Sequence, residues 1–243
     1  EVRSLKDAVV NTNRELMLLG EISKGAQVLD AGCGVGGSSI FLAKERHCQA
    51  RGITLSARQV ATATQYAERH GVQKLVQFEQ KDYTNTAYQD KAFDFAWAVE
   101  SMQTAQNKSR FFKEMARVLK PGGRLLIADC FKSHSYDINQ EPDMLTMLNG
   151  WAISDILTLE ELKEMAGAYG LELTGRRNVT REVKPSVNRI YWAALAGMIG
   201  TKAYNLVYNA TYFSKIHYKT GLAQYKTYRK GLWDYELLAL QKL

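Results

Sequence analysis

The sequence predicts an α/β fold. It should hold a seven-stranded, mostly parallel sheet with helices on both faces, an antiparallel last strand, and a helical segment inserted before that strand. Three observations predict it. Between Gly25 and Thr180, short apolar runs alternate with longer amphipathic stretches. The first run passes straight into a glycine-rich turn. After Val183 the alternation stops, and roughly fifty helical residues precede one closing apolar run.

The elements follow in order. Gln27–Ala31 reads as a strand, Gly37–Glu45 as a helix and Cys48–Leu55 as a second strand. Ser56–His70 is a helix: Ser56 can cap it, Val60, Ala63 and Ala67 recur at helical spacing, and Gly71 ends it. Val76–Lys81 alternates like a strand, and Phe93–Val99 is a strand between polar turns. Lys108–Leu119 carries Phe111, Phe112, Met115, Val118 and Leu119 on one side of a helix. Pro121-Gly122-Gly123 breaks it, and Arg124–Asp129 is the fifth strand. Thr158 and Glu161 form a capping-box pattern for a helix that Gly170 stops, and Leu171–Arg177 is the sixth strand. Leu232–Lys242 closes the chain as a strand, although Leu237, Leu238 and Leu240 also fit a helix. As a strand beside Leu171–Arg177 it would run antiparallel. One domain is expected, with a core over about 25–180 and 232–243. A helical cap is expected over about 183–231 together with 131–157.

The chain has 243 residues, 46% hydrophobic and 23% charged, with a net charge of +7. Disorder is excluded by the apolar content and by only three prolines. No uncharged apolar run reaches the roughly 18–20 residues of a membrane span. The start, Glu1-Val2-Arg3-Ser4, has no initiator Met and no apolar signal region behind it. It reads as part of a longer chain. Cys33, Cys48 and Cys130 form no C-x-x-C pair, so reduced thiols and a cytoplasmic location are expected, with no metal site. The charge is uneven. Residues 184–243 hold nine Lys/Arg against Asp234 and Glu236, together with eight of the thirteen tyrosines; the rest of the chain is balanced.

The most specific local feature is Val28-Leu29-Asp30-Ala31-Gly32-Cys33-Gly34-Val35-Gly36-Gly37. A strand ends near an acid and enters G-x-G-x-G before a helix. Glycines there permit positive φ and close approach of a ligand, and the helix start offers free N–H groups. A dinucleotide site would want G-x-G-x-x-G and an acid about 20 residues later. Here Asp30 precedes the glycines, which suits an amino-acid moiety with its ammonium and carboxylate, as in the methionine half of S-adenosylmethionine (SAM). Taken alone, the motif serves a loop as well as a ligand site.

Further segments carry a resemblance. Leu29–Gly37 is similar to the first SAM motif of class I SAM-dependent methyltransferases. Gly52-Ile53-Thr54-Leu55-Ser56 with Gln59, and Val99-Glu100-Ser101-Met102, resemble a subgroup: tocopherol, sterol and cyclopropane-fatty-acid methyltransferases. Arg117-Val118-Leu119-Lys120-Pro121-Gly122-Gly123 resembles the turn before that family's fifth strand. The resemblance implies a Rossmann-like sheet, SAM as methyl donor and S-adenosylhomocysteine as product. It implies that Asp30, Gly32, Cys33 and Gly34 hold the methionine part. Thr54, Leu55, Ser56 and Gln59 stand where many relatives have a ribose-binding acid. Asp82 and Tyr83 stand at the adenine position, and Glu100 lies near the sulfonium.

Glu100, after the fourth strand, is the first candidate for a catalytic carboxylate, able to remove a proton or stabilise a cation. His134, past the fifth strand, is the second. A nucleic-acid acceptor is not expected. The segment is Val-Glu-Ser-Met rather than D-P-P-Y, no Pro-Cys nucleophile occurs, and no nucleic-acid module is recognisable. Lys202–Tyr218 reads as a helix with Tyr204, Tyr208 and Tyr212 on one face, either a cap for a flat, greasy acceptor or ordinary packing. Gly221–Tyr225 and Tyr228–Tyr235 are similar to the ending of geranyl-diphosphate and related terpene C-methyltransferases. That ending has an acid where this chain has Lys230. Met102, Trp151, Tyr208, Tyr228 and Arg229 are therefore the expected acceptor contacts. The expected acceptor is a small hydrophobic natural product, an isoprenoid, a phenol or quinol, or an alkaloid, with C-methylation ahead of O- or N-methylation, and Mg²⁺ enters only if it is a diphosphate. A SAM-binding cyclase or binding protein is the rival.

Overall fold

The computed structural model describes residues 5–205 and 212–243. The chain begins with α1 (Leu5–Leu19), β1 (Gln27–Ala31), α2 (Gly37–Arg46), β2 (Gln49–Thr54), α3 (Ala57–Arg69) and β3 (Val76–Gln80). β4 (Phe93–Val99), α4 (Lys108–Val118), β5 (Leu119–Lys132), α5 (Pro142–Gly150) and α6 (Leu159–Gly167) follow. β6 (Leu171–Asn178), α7 (Lys184–Asn205), α8 (Tyr212–Lys230) and β7 (Trp233–Lys242) complete it.

The seven strands lie in the order β3-β2-β1-β4-β5-β7-β6. β1 to β5 are parallel: Asp30 stands beside Gly52 on one side and Trp97 on the other. β7 is antiparallel to β6. The Val179 N–H donates to Tyr235 and the Leu243 N–H to Gly170, so partner numbers fall along one strand as they rise along the other. β1, β4 and β7 are buried at successive residues, which requires cover on both faces, whereas β6 alternates as an edge strand does.

The continuous burial of β7 explains the ambiguity of its sequence. Leu237, Leu238 and Leu240 are all buried, so no alternation marks the strand. β5 differs from expectation at its start. It begins at Leu119, and the Lys120–Gly123 stretch is a bulge within it, since pairing with β4 steps from Phe93–Leu119 to Phe95–Arg124. α1 was not legible because its inner face is interrupted: Leu16 and Met17 are buried, but so is Asn13. Asn13 accepts a hydrogen bond from Ser38 of α2 at 3.2 Å.

The chain forms two compact units. The first comprises Glu1–Asp129, Glu160–Arg177 and Glu236–Leu243. Its sheet lets helix and glycine turn approach closely. Phe78 of β3 fills the space in front of both Gly36 and Gly52, so that a Cβ on either would stand 2.6 Å from the ring. Arg117 locks α4 to the loop before β4 by binding Glu114, Asp90 and the Tyr88 carbonyl. The second unit comprises Cys130–Leu159 and Asn178–Tyr235. There α8 packs against both α5 and α7. Small residues permit this: Gly150 faces Thr220, and Gly221 faces Ala194. Tyr191 of α7 stacks on Tyr225 of α8 with ring centres 4.2 Å apart. Residues 206–211, with Tyr208 among them, lie outside the described residues, as do the side chains of Tyr204 and Tyr212. Among the described residues no helix is long and apolar enough to cross a membrane.

Candidate functional site

The carboxyl ends of β3, β2, β1 and β4 stand side by side in the first unit. That is where α/β sheets bind ligands. β1 ends in the glycine turn. Gly32 and Gly34 have φ of +92° and +53°, which L side chains adopt only with strain. The two differ in their surroundings. A Cβ on Gly32 would meet Ser101 at 2.5 Å, while nothing lies within 4 Å of that position at Gly34. The Gly32 and Cys33 N–H groups both donate to the Ile53 carbonyl, which anchors the turn on β2. Asp30 is buried, and its Oδ2 accepts from the Ser39 hydroxyl at 2.6 Å. Burial pushes the Asp30 carboxyl up to about 6, against the Ser39 hydrogen bonds that pull it down. Burial, reinforced by the Asp30 charge, pushes the Cys33 thiol far up, so Cys33 is an inert wall of the turn.

At the end of β2 the Thr54 hydroxyl donates to Gln59 Oε1 at 2.6 Å. Ser56 caps α3 by accepting from the Gln59 N–H, and its own N–H reaches the Thr54 hydroxyl. The Gln59 oxygen is thus committed, and its amide NH₂ is the group this corner can offer a ligand. Leu55 between them is 69% exposed. Its carbonyl accepts from Gln80. After β3, Asp82 folds back on its own loop, with Oδ1 accepting from the Thr84 N–H and hydroxyl. Tyr83 runs the other way. Its hydroxyl donates to the Ser101 carbonyl and pairs with Thr104, and its ring meets Phe111 edge-on. Burial raises the Tyr83 phenol.

β4 ends at Glu100. This residue is exposed, its N–H donates to Ala128 of β5, and its backbone is left-handed at φ +51°. A non-glycine residue there is strained and is held by its neighbours. The next residue does much of the holding: the buried Ser101 hydroxyl donates to the Ala31 carbonyl at 2.6 Å. Met102 behind it is fully buried, so it backs the turn and presents no surface. Sequence reasoning missed Ser39, Ser101 and Asn13. Of these, only Ser101 lies in a segment that drew attention.

The second unit holds the remaining candidates. His134 is exposed, with Nδ1 2.9 Å from the Ser133 hydroxyl and its ring 5.2 Å from that of Tyr136. Trp151 is half-exposed and donates from Nε1 to Gln224. Tyr228 leans on Trp233, and Arg229 is exposed. Lys230 is paired with Glu141 at 2.9 Å and Asp143 at 3.7 Å, and Lys226 with Asp143. Part of the basic excess of the tail is therefore neutralised inside this unit. Among the described residues no group of three or more His, Cys, Asp or Glu side chains is placed to hold a metal.

Residues 29–127 match the family described as a methyltransferase domain. The chain is similar to the methyltransferase GfsG of Streptomyces halstedii, 34% identical over 170 residues. The match covers 69% of this chain and 61% of that protein. It is similar to the 2-methyl-6-phytyl-1,4-hydroquinone methyltransferase of a Synechocystis strain, 34% identical over 157 residues, 63% of this chain and 48% of that one. The chain thus spans only about half to three-fifths of these relatives' length. Among solved structures, the [4+2]-cyclase SpnF superposes with a TM-score of 0.81 at 24% identity, covering 100% of this chain and 85% of the other. The geranyl diphosphate C-methyltransferase of Streptomyces coelicolor A3(2) superposes at 0.74 and 18% identity, covering 98% and 83%. At these identities the likeness is one of fold. Residues 29–127 match a methyltransferase domain, and the chain has the fold of the class I methyltransferases.

Proposed function

We propose that the protein transfers a methyl group from SAM to a small hydrophobic acceptor of the isoprenoid, phenolic or quinol, or alkaloid kind. The observation that carries this reading is the adjoining pair of left-handed turns: the glycine turn after β1, open at Gly34, and Glu100 after β4, tied to it through Ser101. When bound, SAM supplies an electrophilic methyl group on a sulfonium. The chain's own residues have the remaining tasks. Asp30 is placed to draw an ammonium to the turn once ionised, and Gly34 leaves the space that a bound group would fill. Gln59 offers amide hydrogens to ribose oxygens, and exposed Leu55 offers an apolar face to the base. Glu100 supplies negative charge near the reacting centre, which stabilises cationic character at a methylated carbon and can take the proton that must leave. The second unit, rich in aromatic side chains, carries the acceptor specificity in this proposal.

C-methylation is the first reading, supported by the Glu100 carboxylate. Methylation of a hydroxyl or amine is the second, favoured by His134, whose Nδ1 is engaged by Ser133. The test is incubation with methyl-labelled SAM and 2-methyl-6-phytyl-1,4-hydroquinone, then with pooled lipophilic extracts, with products resolved by mass. Labelled product with release of S-adenosylhomocysteine supports the proposal, and the labelled atom decides between the two readings. SAM that binds without any release favours a non-methylating protein, a cyclase among them. Label on polypeptide would make the acceptor a protein.

A further inference from the structure

The loop after β5 is stitched to the entrance of β7 by three hydrogen bonds within the second unit. The Ser133 N–H donates to the Leu232 carbonyl at 3.2 Å, and the Tyr136 hydroxyl donates to the same carbonyl at 3.1 Å. The Ser133 hydroxyl donates to the Gly231 carbonyl at 2.6 Å. His134 stands between Ser133 and Tyr136, with its ring against Tyr136 and its Nδ1 2.9 Å from the Ser133 oxygen.

A serine hydroxyl has one proton and two lone pairs. The carbonyl of Gly231 can only accept, so the short contact there uses that proton. Toward His134 the same oxygen can then only accept, and the donor must be Nδ1–H. A neutral imidazole with its proton on Nδ1 has its lone pair on Nε2. The geometry points to Ser133 as a positioning residue: it fixes the tautomer of His134 and leaves the Nε2 lone pair as the ring's proton acceptor. The inference rests on the methyl-transfer reading above and belongs to its hydroxyl or amine branch.

The step balances. As an acceptor O–H or N–H bond breaks, its proton passes to Nε2. The freed electron pair takes the methyl group, and the pair of the broken C–S bond stays on sulfur. The imidazolium formed keeps Nδ1–H on the Ser133 oxygen, a hydrogen bond that strengthens when its donor is charged.

The decisive experiment is long-range ¹H–¹⁵N spectroscopy of the imidazoles at a pH well above their ordinary range. The chain has four histidines, and the His134→Ala variant assigns the signal. The proton is expected on Nδ1 in the parent protein, to move toward Nε2 in Ser133→Ala, and to stay on Nδ1 in Ser133→Thr. With labelled SAM and 2-methyl-6-phytyl-1,4-hydroquinone, Ser133→Ala should lose about tenfold or more in kcat, within the ~10²–10⁴-fold a general base contributes. Its KM for SAM should hold, and Ser133→Thr should recover most of kcat. An unprotonated Nδ1 in the parent protein, or an unmoved tautomer in Ser133→Ala, overturns the inference. So does a His134→Ala variant with undiminished kcat. No methylated product from the parent protein would instead sink the methyl-transfer reading, while the spectrum still decides the tautomer.

Discussion

The Ser101 hydroxyl donates to the Ala31 carbonyl at 2.6 Å, across 70 positions of sequence. It ties the end of β4 to the end of β1 at the point where both strands turn into loops of positive φ. Ser101→Ala should leave that buried carbonyl short of a partner and cost about 1–3 kcal/mol of stability. It should also loosen both turns, so SAM affinity should fall more than unfolding alone explains. Urea denaturation beside titration calorimetry checks both. Unchanged affinity would mean that Glu100 and the glycine turn are held independently.

Gly32→Ala and Gly34→Ala form a contrasting pair. Both place a side chain at positive φ, at a cost of about 1–2 kcal/mol. At Gly32 the new methyl also meets Ser101 at 2.5 Å, so that variant should be much less stable. At Gly34 it enters open space. Gly34→Ala should therefore fold and yet lose SAM binding. Thermal melts with and without SAM separate the two cases.

Asp30 makes the site pH-dependent in two opposed ways. Its carboxyl is raised by burial to about 6, above the value of about 3.9 in an unfolded chain. The folded state therefore holds the proton longer. The stability this confers is complete below the unfolded value and is lost as pH rises through about 6, on the order of 3 kcal/mol in all. An ammonium bound at Asp30 needs the charged form, so SAM affinity should fall as pH drops below about 6. Asp30→Asn should flatten both curves: more stable than the parent at pH 7, with weaker SAM binding throughout. A SAM affinity that is level from pH 5 to 8 in the parent protein would remove Asp30 from the binding role.

Glu100→Gln should cut turnover far more than SAM affinity, since it removes charge while keeping shape. Equal turnover would take Glu100 out of the mechanism. Glu100→Gly should relieve the left-handed strain and stabilise the fold by about 1 kcal/mol while abolishing turnover. Single-turnover assays beside thermal melts give both readings.

Within the second unit, Lys230 is already paired with Glu141 and Asp143, whereas Arg229 is exposed. Lys230→Gln should leave the hydroquinone KM within about twofold, because exposed pairs are screened by solvent. Arg229→Gln should raise KM if its charge meets the acceptor. Geranyl diphosphate with Mg²⁺ is the probe for that case: a larger effect of Arg229→Gln on this anionic substrate than on the hydroquinone marks a phosphate contact.

What the sequence discloses about this molecule is mostly local. The Ser56 cap, the glycine turn and β4 lie where periodicity and turn chemistry put them, because each depends on residues a few positions apart. The gaps have one cause. Ser39 answers Asp30 only once α2 folds over β1, Ser101 reaches Ala31 only once β4 pairs beside β1, and Ser133 meets Gly231 from 98 positions away. Hydroxyls of this kind leave no trace in a hydrophobic pattern. α1 escaped for the opposite reason: Asn13 occupies a position where the pattern needs an apolar residue.

The strand order β5-β7-β6 bears on how the sheet closes. β7 follows β6 in sequence yet lies inside it in the sheet, and it carries buried Glu236 to its partner Arg176 on β6. Until β7 pairs, β6 has no neighbour and β5 has an open edge. A lesion that loosens β7 therefore exposes two unpaired edges at once, the template that edge-to-edge aggregation needs.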